Sequence, residues 1–278
     1  MYSLQNLHHL PLATEWLAQA DGLLIAAGAG MGVDSGLPDF RGDQGLWRAY
    51  PALARAGLRF VEIANPASFD TDPRLAWGFY GHRLALYQRT RPHAGFGLLQ
   101  QLAERLEHGL AVNTSNVDGQ FQAAGFSEDV VHECHGSIHF LQCTQACTQE
   151  VWSASSLTPV IDEVQCQWIG ELPKCPHCGA LARPNILMFN DAEWISDRTD
   201  AQQARLEAWL GKTQHPVIIE LGAGTHVPSV RNFSERLVRT CGAKLIRINP
   251  RDEAVPSQSA IGLRLGALDG LQALVGAR

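Results

Sequence analysis

The sequence predicts an α/β protein, a doubly wound parallel sheet with a smaller lobe formed by insertions. Three features indicate this fold. The short apolar run at 23–27 and further strand candidates at 110–112, 130–132, 217–221 and 244–248 each end in polar or glycine-bearing residues. Stretches of helical pattern separate these runs, at 10–20, 96–106 and 230–240, as in parallel strands joined by crossovers. Two segments break the alternation, a mainly helical one at 47–91 and a cysteine-rich one at 140–190.

The composition is that of a folded, water-soluble protein. Of the 278 residues, 45% are hydrophobic and 18% are charged, which is far from the charge-rich pattern of disordered chains. The formal net charge of −6 disfavours nucleic acid as a partner. No apolar run approaches the roughly 20 residues that span a bilayer, and the first residues lack the pattern of a secretory signal. We therefore expect a cytoplasmic protein that has no membrane partner.

Two pairs of cysteines indicate a metal site. Cys143 and Cys147 have three residues between them, and Cys175 and Cys178 have two. Each pair supplies two thiolates from one tight turn, which is the arrangement of tetrahedral zinc sites; Cys166 and His177 are the competing ligands. Four protein ligands leave no open position for water or substrate. The cysteine pairs therefore predict one structural zinc ion that takes no part in catalysis.

Two glycines follow the first predicted strand directly, in the sequence Gly28-Ala29-Gly30. Glycine at this place lets the backbone approach a pyrophosphate, whose charge then faces backbone N–H groups. The strict G-x-G-x-x-G pattern fails, because Val33 occupies the third glycine position. From the glycines alone, a nucleotide-binding loop and an ordinary turn both remain open.

The residues that follow resemble the signature of sirtuins. The run at 35–41 reads Ser-Gly-Leu-Pro-Asp-Phe-Arg, and further family motifs follow in the family's order. These are Asn116-Val117-Asp118, His135-Gly136, the two cysteine pairs, Arg183-Pro184 with Phe189, Gly222 with Val227, and Ile248-Asn249. The resemblance implies a Rossmann-like NAD-binding domain of residues 1–46, 92–139 and 191–278. The helical insert 47–91 and the zinc-binding insert 140–190 would form the small domain.

The resemblance also implies an activity, the NAD-dependent deacylation of lysine in proteins or peptides, with release of nicotinamide and O-acyl-ADP-ribose. His135 would be the general base, since imidazole accepts protons near neutral pH. Asn116 and Asp118 would complete the catalytic set by holding the nicotinamide ribose and carboxamide. The positions expected to contact NAD are Gly28, Ala29, Gly30, Asp39, Phe40, Arg41, Ser115, Asn116, Asp118, Gly222, Gly224 and Asn249.

A further motif bears on the acyl group. Tyr80 and Arg83 are three residues apart in the helical insert and so lie on one helix face. They resemble the tyrosine-x-x-arginine motif of sirtuins that remove succinyl and malonyl groups, in which the arginine pairs with the distal carboxylate. The same two residues also suit an ordinary surface helix. Acetyl and acidic acyl groups therefore both remain open, and Phe189 is the third residue expected to bind substrate.

Several positions depart from the family pattern, namely Gly32, Ser115, Asn190 and the pair Ala223-Gly224. The changes remove hydroxyl or amide groups near NAD or add a side chain beside the peptide groove. Two alternatives follow. The protein could hydrolyse NAD or transfer ADP-ribose, against which His135 weighs, or it could be a noncatalytic zinc-bearing binding module. The sequence predicts neither the substrate protein nor the oligomeric state.

Overall fold

A parallel sheet of six strands organises the computed structural model, which describes residues 4–39 and 42–277 and only the backbone of residues 4–8 and 42. The described strands are β1 (Gly22–Ala27), β2 (Leu110–Thr114), β3 (Val131–Glu133), β4 (Gly136–Cys143), β5 (Trp152–Ser153), β6 (Ile161–Asp162), β7 (Gln167–Trp168), β8 (Ala182–Ile186), β9 (Pro216–Leu221), β10 (Lys244–Ile248) and β11 (Ala260–Leu263). The large sheet has the order β11-β10-β9-β1-β2-β3, and all its pairs are parallel. The predicted fold class is confirmed.

The order of the strands in the sheet indicates where a ligand would bind. The first strand, β1, lies in the middle of the sheet. Strands β2 and β3 follow on one side of it, and β9, β10 and β11 lie on the other side. The order thus reverses between β1 and β9. In open α/β sheets, ligands bind beyond the carboxyl ends of the strands at such a reversal point. The loops after β1, β2 and β9 are therefore where a ligand is expected.

Helices cover both faces of this sheet, which explains why β1 and β9 are buried along their whole length. The described helices are α1 (Leu4–Gln19), α2 (Gly42–Ala49), α3 (Pro51–Arg55), α4 (Phe60–Ile63), α5 (Ala67–Thr71), α6 (Pro73–Arg89), α7 (Gly95–Ala103), α8 (Gln120–Ala123), α9 (Asp197–Leu210), α10 (Ser229–Cys241) and α11 (Ala267–Gly276). Leu23 and Ile25 face a core shared with α1, α7 and α11. Leu24 and Ala26 face the opposite core, shared with α9 and α10. None of the described helices is long and apolar enough to cross a membrane.

The small lobe has its own core. The antiparallel sheet β5-β4-β8 and the hairpin β6-β7 pack with α2 to α6 around Trp77, which is fully buried and donates a hydrogen bond to the Ala182 carbonyl at 2.9 Å. Helix α6 begins cleanly because the Asp72 side chain accepts a hydrogen bond from the Leu75 N–H, and Pro73 occupies the first turn. The helical prediction for 47–91 is confirmed.

Other sequence predictions shift in detail. Helix α1 begins six residues before the predicted start at Leu10, and β11, α9 and α11 had no predicted counterpart. Strand β4 begins at Gly136 and pairs with β8 from there on, so the domain boundary predicted at 139/140 lies inside this strand. The short strands β5, β6 and β7 have two residues each, too few to show an alternating pattern.

Candidate active site

A cavity of about 670 Å³ lies at the carboxyl ends of β1, β2 and β9 and extends to the small lobe. Its wall includes the loop after each of these strands, one face of α6, and residues 186–189 at the end of β8 and just beyond it. This volume is within the range of cofactor and substrate sites, roughly 300–1,000 Å³. The cavity therefore occupies the crevice that the strand order indicates.

Two glycine turns form the floor of the cavity. The N–H of Gly28 donates to the Leu221 carbonyl at 2.9 Å, and the N–H of Gly30 donates to the Gly222 carbonyl at 3.1 Å. A Cβ atom added to Gly30 would lie 2.5 Å from the Gly222 Cα, so a side chain there would force the turns apart. Gly222 itself has φ +57°, a conformation that favours glycine. The close packing leaves backbone, without intervening side chains, facing the cavity.

Asn116 and Asp118 follow β2 and line the same cavity. The Asn116 amide donates to the Gly28 carbonyl at 3.0 Å, which ties the second loop to the first glycine turn. Asp118 is 9% exposed, and its Oδ1 accepts a hydrogen bond from the Gln120 N–H at 2.9 Å. Burial raises the pKa of Asp118 to about 6, against the lowering effect of that hydrogen bond. A buried carboxylate aimed into a cavity is suited to accept hydrogen bonds from a ligand amide.

His135 lines the cavity between β3 and β4. Its Nε2 lies 3.1 Å from the hydroxyl oxygen of Ser229, the first residue of α10. Burial lowers the pKa of His135, and a hydrogen bond with the Ser115 backbone opposes the shift. At neutral pH the imidazole is therefore uncharged, the form in which it can accept a proton.

Helix α6 contributes Tyr80, Arg83 and Tyr87 to the cavity wall. The Arg83 Nε donates to the Tyr87 hydroxyl at 3.0 Å, and its guanidinium carbon lies 5.8 Å from the centre of the Tyr80 ring and 5.5 Å from that of Tyr87. Burial raises the pKa of Tyr80 to about 12, so its hydroxyl stays protonated. Sequence analysis missed Tyr87, although its position four residues after Arg83 indicates the same helix face.

Phe189 reaches the cavity from the loop after β8. Its ring packs edge-on against Phe60 with the centroids 5.8 Å apart, and its N–H donates to the Ala64 carbonyl at 2.9 Å. Both Arg183 Nη atoms donate to the Asp191 carboxylate, at 2.8 and 2.7 Å, and both side chains are fully buried. This ion pair holds the loop that carries Phe189. Asn190, which lies between Phe189 and Asp191 in the chain, adopts φ +55° and is not part of the cavity wall.

The remaining predicted NAD contacts fall into three groups. Ala29, Asp39, Ser115 and Gly224 line the cavity. Phe40 and Arg41 lie outside the described residues. Asn249 is fully buried below the wall: its amide donates to the Ala223 carbonyl at 3.0 Å, and its oxygen accepts from the N–H groups of Arg251 and Asp252. Of the altered positions, Gly32 does not line the cavity, whereas Ser115, Ala223 and Gly224 do.

Arg251 and Asp252 line the cavity after β10, which sequence analysis missed. Their place directly after a parallel strand is the signal that could have identified them.

The four predicted metal ligands converge in the small lobe. All four Sγ atoms of Cys143, Cys147, Cys175 and Cys178 lie within 4.8 Å of one another. The Cys143–Cys178 and Cys147–Cys175 separations are 3.7 and 3.6 Å, close to the edge of about 3.8 Å expected for a tetrahedron with zinc–sulfur bonds of about 2.3 Å. The residues thus fit one structural zinc ion. None of the four lines the cavity.

Among the described residues, neither competing ligand belongs to this group of converging sulfur atoms. Cys166 is buried in the core of the small lobe, and His177 Nε2 pairs with a Glu150 carboxylate oxygen at 2.7 Å. The geometry therefore favours the four paired cysteines over Cys166 and His177 as the ligands.

Comparison with known proteins decides the family. The model of the Sir2 family matches residues 28–224, from the first glycine turn to the second. This chain belongs to the Sir2 family. The Sir2 match confirms the resemblance to sirtuins that the motifs indicate, and it includes the cavity-lining residues of the first two loops and all four cysteines.

Individual Sir2 relatives align along most of the chain. An NAD-dependent protein deacylase of Pyrococcus furiosus is 31% identical over 259 residues, covering 93% of this chain and 94% of the relative. An NAD-dependent protein deacylase of Thermococcus kodakarensis is 32% identical over 238 residues, covering 85% and 83%. A crystal structure of a Sir2 homologue in complex with NAD superimposes with a TM-score of 0.71 at 27% identity, covering 96% and 93%.

Proposed function

We propose that this Sir2-family protein is an NAD-dependent protein-lysine deacylase. The observation that carries the proposal is that His135, Asn116 and Asp118 line one cavity whose floor consists of two glycine turns. A cofactor-sized cavity, a bare backbone floor and one neutral imidazole are the parts that such a reaction needs. The relatives named NAD-dependent protein deacylases support the same function.

The residues present fit NAD. The turns at Gly28–Gly30 and Gly222–Gly224 expose backbone to the cavity, where a pyrophosphate could bind. Gly224 borders open space, because a Cβ atom added to it would meet no atom within 4 Å. Asp118 would accept hydrogen bonds from the carboxamide, and Asn116 would orient the adjoining ribose. When bound, NAD supplies a departing nicotinamide and a ribose that receives the acyl group.

His135 would act as the base of the reaction. Its buried imidazole is neutral at working pH and would take the proton of the ribose hydroxyl at Nε2. Phe189 and Phe60 form an apolar wall on the side of the small lobe, which would exclude water from the acyl-lysine. This base favours deacylation over NAD hydrolysis, since hydrolysis needs no proton acceptor for the ribose hydroxyl.

The peptide assay that tests this function compares acetyl-, succinyl- and malonyl-lysine substrates with and without NAD by mass spectrometry. We expect loss of the acyl group only when NAD is present. Nicotinamide release without deacylation would instead support NAD hydrolysis or ADP-ribosyl transfer. Peptide binding without any turnover would support a binding module.

We further propose that acidic acyl groups are accepted beside acetyl. Arg83, Tyr80 and Tyr87 form the polar part of the cavity wall on α6, where a guanidinium and two protonated hydroxyls can meet a carboxylate. Arg83→Met keeps most of the apolar stem and removes the charge. We expect kcat/KM for succinyl- and malonyl-lysine to fall roughly 10- to 100-fold, and that for acetyl-lysine to change much less.

The matched control for this substitution is Arg89→Met, because Arg89 is an exposed arginine at the end of the same helix. It should leave the ratio of succinyl to acetyl turnover unchanged. Equal losses on all three substrates in Arg83→Met would show that Arg83 supports the fold of α6 and does not select the acyl group.

Asp118 links function to stability. Its carboxyl has an ordinary pKa of 3.8 and a pKa of about 6 in the folded protein, so the folded state binds the proton more tightly than the unfolded state. The ionised carboxylate therefore destabilises the fold above about pH 6, by at most about 3 kcal/mol, and has no such effect below about pH 4. We expect Asp118→Asn to raise the melting temperature at neutral pH while deacylation is lost.

Thermal melts at neutral pH and near pH 4 check this expectation, with the exposed Asp70→Asn as the control. The stabilisation by Asp118→Asn should disappear at the acidic pH, because the wild-type carboxyl is then protonated. If Asp118→Asn is less stable than the wild type at neutral pH, the ionised carboxylate stabilises the fold, and the expected destabilisation by its burial is refuted.

A further inference from the structure

One contact of His135 lies outside the residues that the proposed mechanism uses. The Ser229 hydroxyl oxygen is 3.1 Å from His135 Nε2, the nitrogen assigned above to the ribose hydroxyl. Ser229 is half-buried and is not part of the cavity wall, although Val227 and Val230 on either side of it are. The hydroxyl therefore reaches the imidazole from the first turn of α10, at the edge of the cavity wall.

The surroundings of Ser229 hold it in place. The next residue, Val230, is buried in the core beneath α10, and Ser234 donates to the Val230 carbonyl at 3.1 Å. Arg231 is also buried and donates to the Asp252 carbonyl. Because the first turn of α10 is fixed by these contacts, the Ser229 hydroxyl is presented to His135 by a rigid element.

The direction of the hydrogen bond follows from the second partner of the ring. We assign the ring N–H to the side of the Ser115 backbone, because a hydrogen bond from His135 to that backbone raises the pKa of the imidazole. In the neutral imidazole the other nitrogen, Nε2, then carries the lone pair. With this tautomer, the Ser229 hydroxyl, whose oxygen is 3.1 Å away, donates its hydrogen to Nε2.

That lone pair can accept one hydrogen bond in the ring plane. A ribose hydroxyl that donates its proton to Nε2 must take the place of the Ser229 hydroxyl, which can turn away about its own Cα–Cβ bond. Ser229 and the substrate thus use the same nitrogen in turn, one in the free enzyme and the other in the complex.

We propose that Ser229 is a positioning residue: in the free enzyme its hydroxyl donates to His135 Nε2, fixes the ring and keeps that nitrogen as the proton acceptor until the substrate hydroxyl replaces it. The kinetic part of this inference rests on the proposed deacylase function. The part that concerns the free enzyme does not.

Two titratable side chains close to His135 in the chain, His132 and Cys134, stay uncharged around neutral pH. Burial, with a smaller contribution from the nearby His135, lowers the pKa of His132 to about 4. Burial raises the pKa of Cys134, the residue before His135, to about 12. Asp118, which lines the same cavity and has a pKa of about 6, titrates in the wild type and in the Ser229 variants alike. A difference between these proteins therefore reports on the hydroxyl of Ser229.

The first test needs no substrate. Histidine-labelled protein is titrated by NMR, and the His135 signal is assigned as the one absent from His135→Ala. We expect Ser229→Ala to raise the imidazole pKa by about half to one pH unit, because the lost hydrogen bond stabilises the neutral form. Ser229→Thr, which keeps the hydroxyl, and Ser234→Ala, the same change five residues along α10, should leave that pKa unchanged.

The second test separates the free enzyme from the complex. The acid limb of kcat/KM reports the free enzyme and that of kcat reports the complex. In Ser229→Ala we expect the kcat/KM limb to move to higher pH with the NMR value, while the kcat limb stays in place. An unchanged imidazole pKa in Ser229→Ala would overturn the proposal. If the wild type does not deacylate peptides, the proposed function fails, whereas the NMR titration still decides the role of Ser229.

Discussion

Replacement of His135 by alanine is expected to lower deacylation by roughly 100- to 10,000-fold, the usual contribution of a general base. The variant should still bind NAD, because the two glycine turns and Asp118 surround the cavity independently of the imidazole. Turnover of acyl-lysine peptides by mass spectrometry measures the first effect, and calorimetric NAD binding measures the second. Loss of catalysis with retained binding would assign the proton-accepting role to His135.

His215→Ala is the control, since His215 is an exposed histidine outside the cavity wall. It should match the wild type in both measurements. Deacylation at the wild-type rate in His135→Ala would contradict the mechanism. Loss of NAD binding in the same variant would show that the substitution disturbs the cavity as a whole.

Removal of the zinc ion is expected to have the largest effect on stability. Structural zinc sites contribute about 10–16 kcal/mol of binding free energy to small metal-dependent folds, so the small lobe should unfold without the ion. Thermal melting before and after chelation, with zinc content determined by mass spectrometry, measures the loss. Cys175→Ser should reproduce it, because it removes one of four converging ligands.

The effect should extend to activity through one strand pair. Strand β4 begins directly after His135 and ends at the zinc ligand Cys143, and its partner β8 leads to the loop that carries Phe189. Cys143 pairs with Ala182 near the zinc end, and the Leu187 N–H donates to the His135 carbonyl at the cavity end. We therefore expect activity to fall as soon as zinc is lost, although no cysteine of the cluster touches the cavity.

Cys241→Ser is the matched control for the cysteine substitution, because Cys241 is exposed and outside the cluster. It should keep the zinc content and the melting temperature of the wild type. An unchanged melting curve after verified removal of the ion would refute the structural role of zinc.

Local patterns in the sequence predicted the large sheet well. The run Leu23–Ala27 is wholly apolar and Val217–Leu221 is apolar except for Glu220; both are buried along their length, as their composition predicts for central parallel strands. The cysteine pairs likewise predicted the metal cluster, because short spacings constrain where each pair of thiolates can lie. Both features are encoded by neighbouring residues.

The missed features depend on contacts between residues far apart in the chain. Asn249 follows β10 as predicted, but its side chain is used by the Ala223 carbonyl and two backbone N–H groups, and Arg251 and Asp252 line the cavity instead. Ser229 meets His135 across a sequence separation of 94 residues. No periodicity or spacing reports such a contact, because it arises only when β3 and α10 are brought to the same edge of the sheet.

The most direct test of the proposed function is the ratio of nicotinamide released to lysine deacylated, measured in one reaction with NAD and an acyl-lysine peptide. If His135 couples the two events, the products should form in equal amounts, and neither should form when NAD or the peptide is left out. Nicotinamide release that continues without peptide, or that exceeds deacylation severalfold, would contradict the deacylase mechanism and assign the cavity to NAD hydrolysis or ADP-ribosyl transfer.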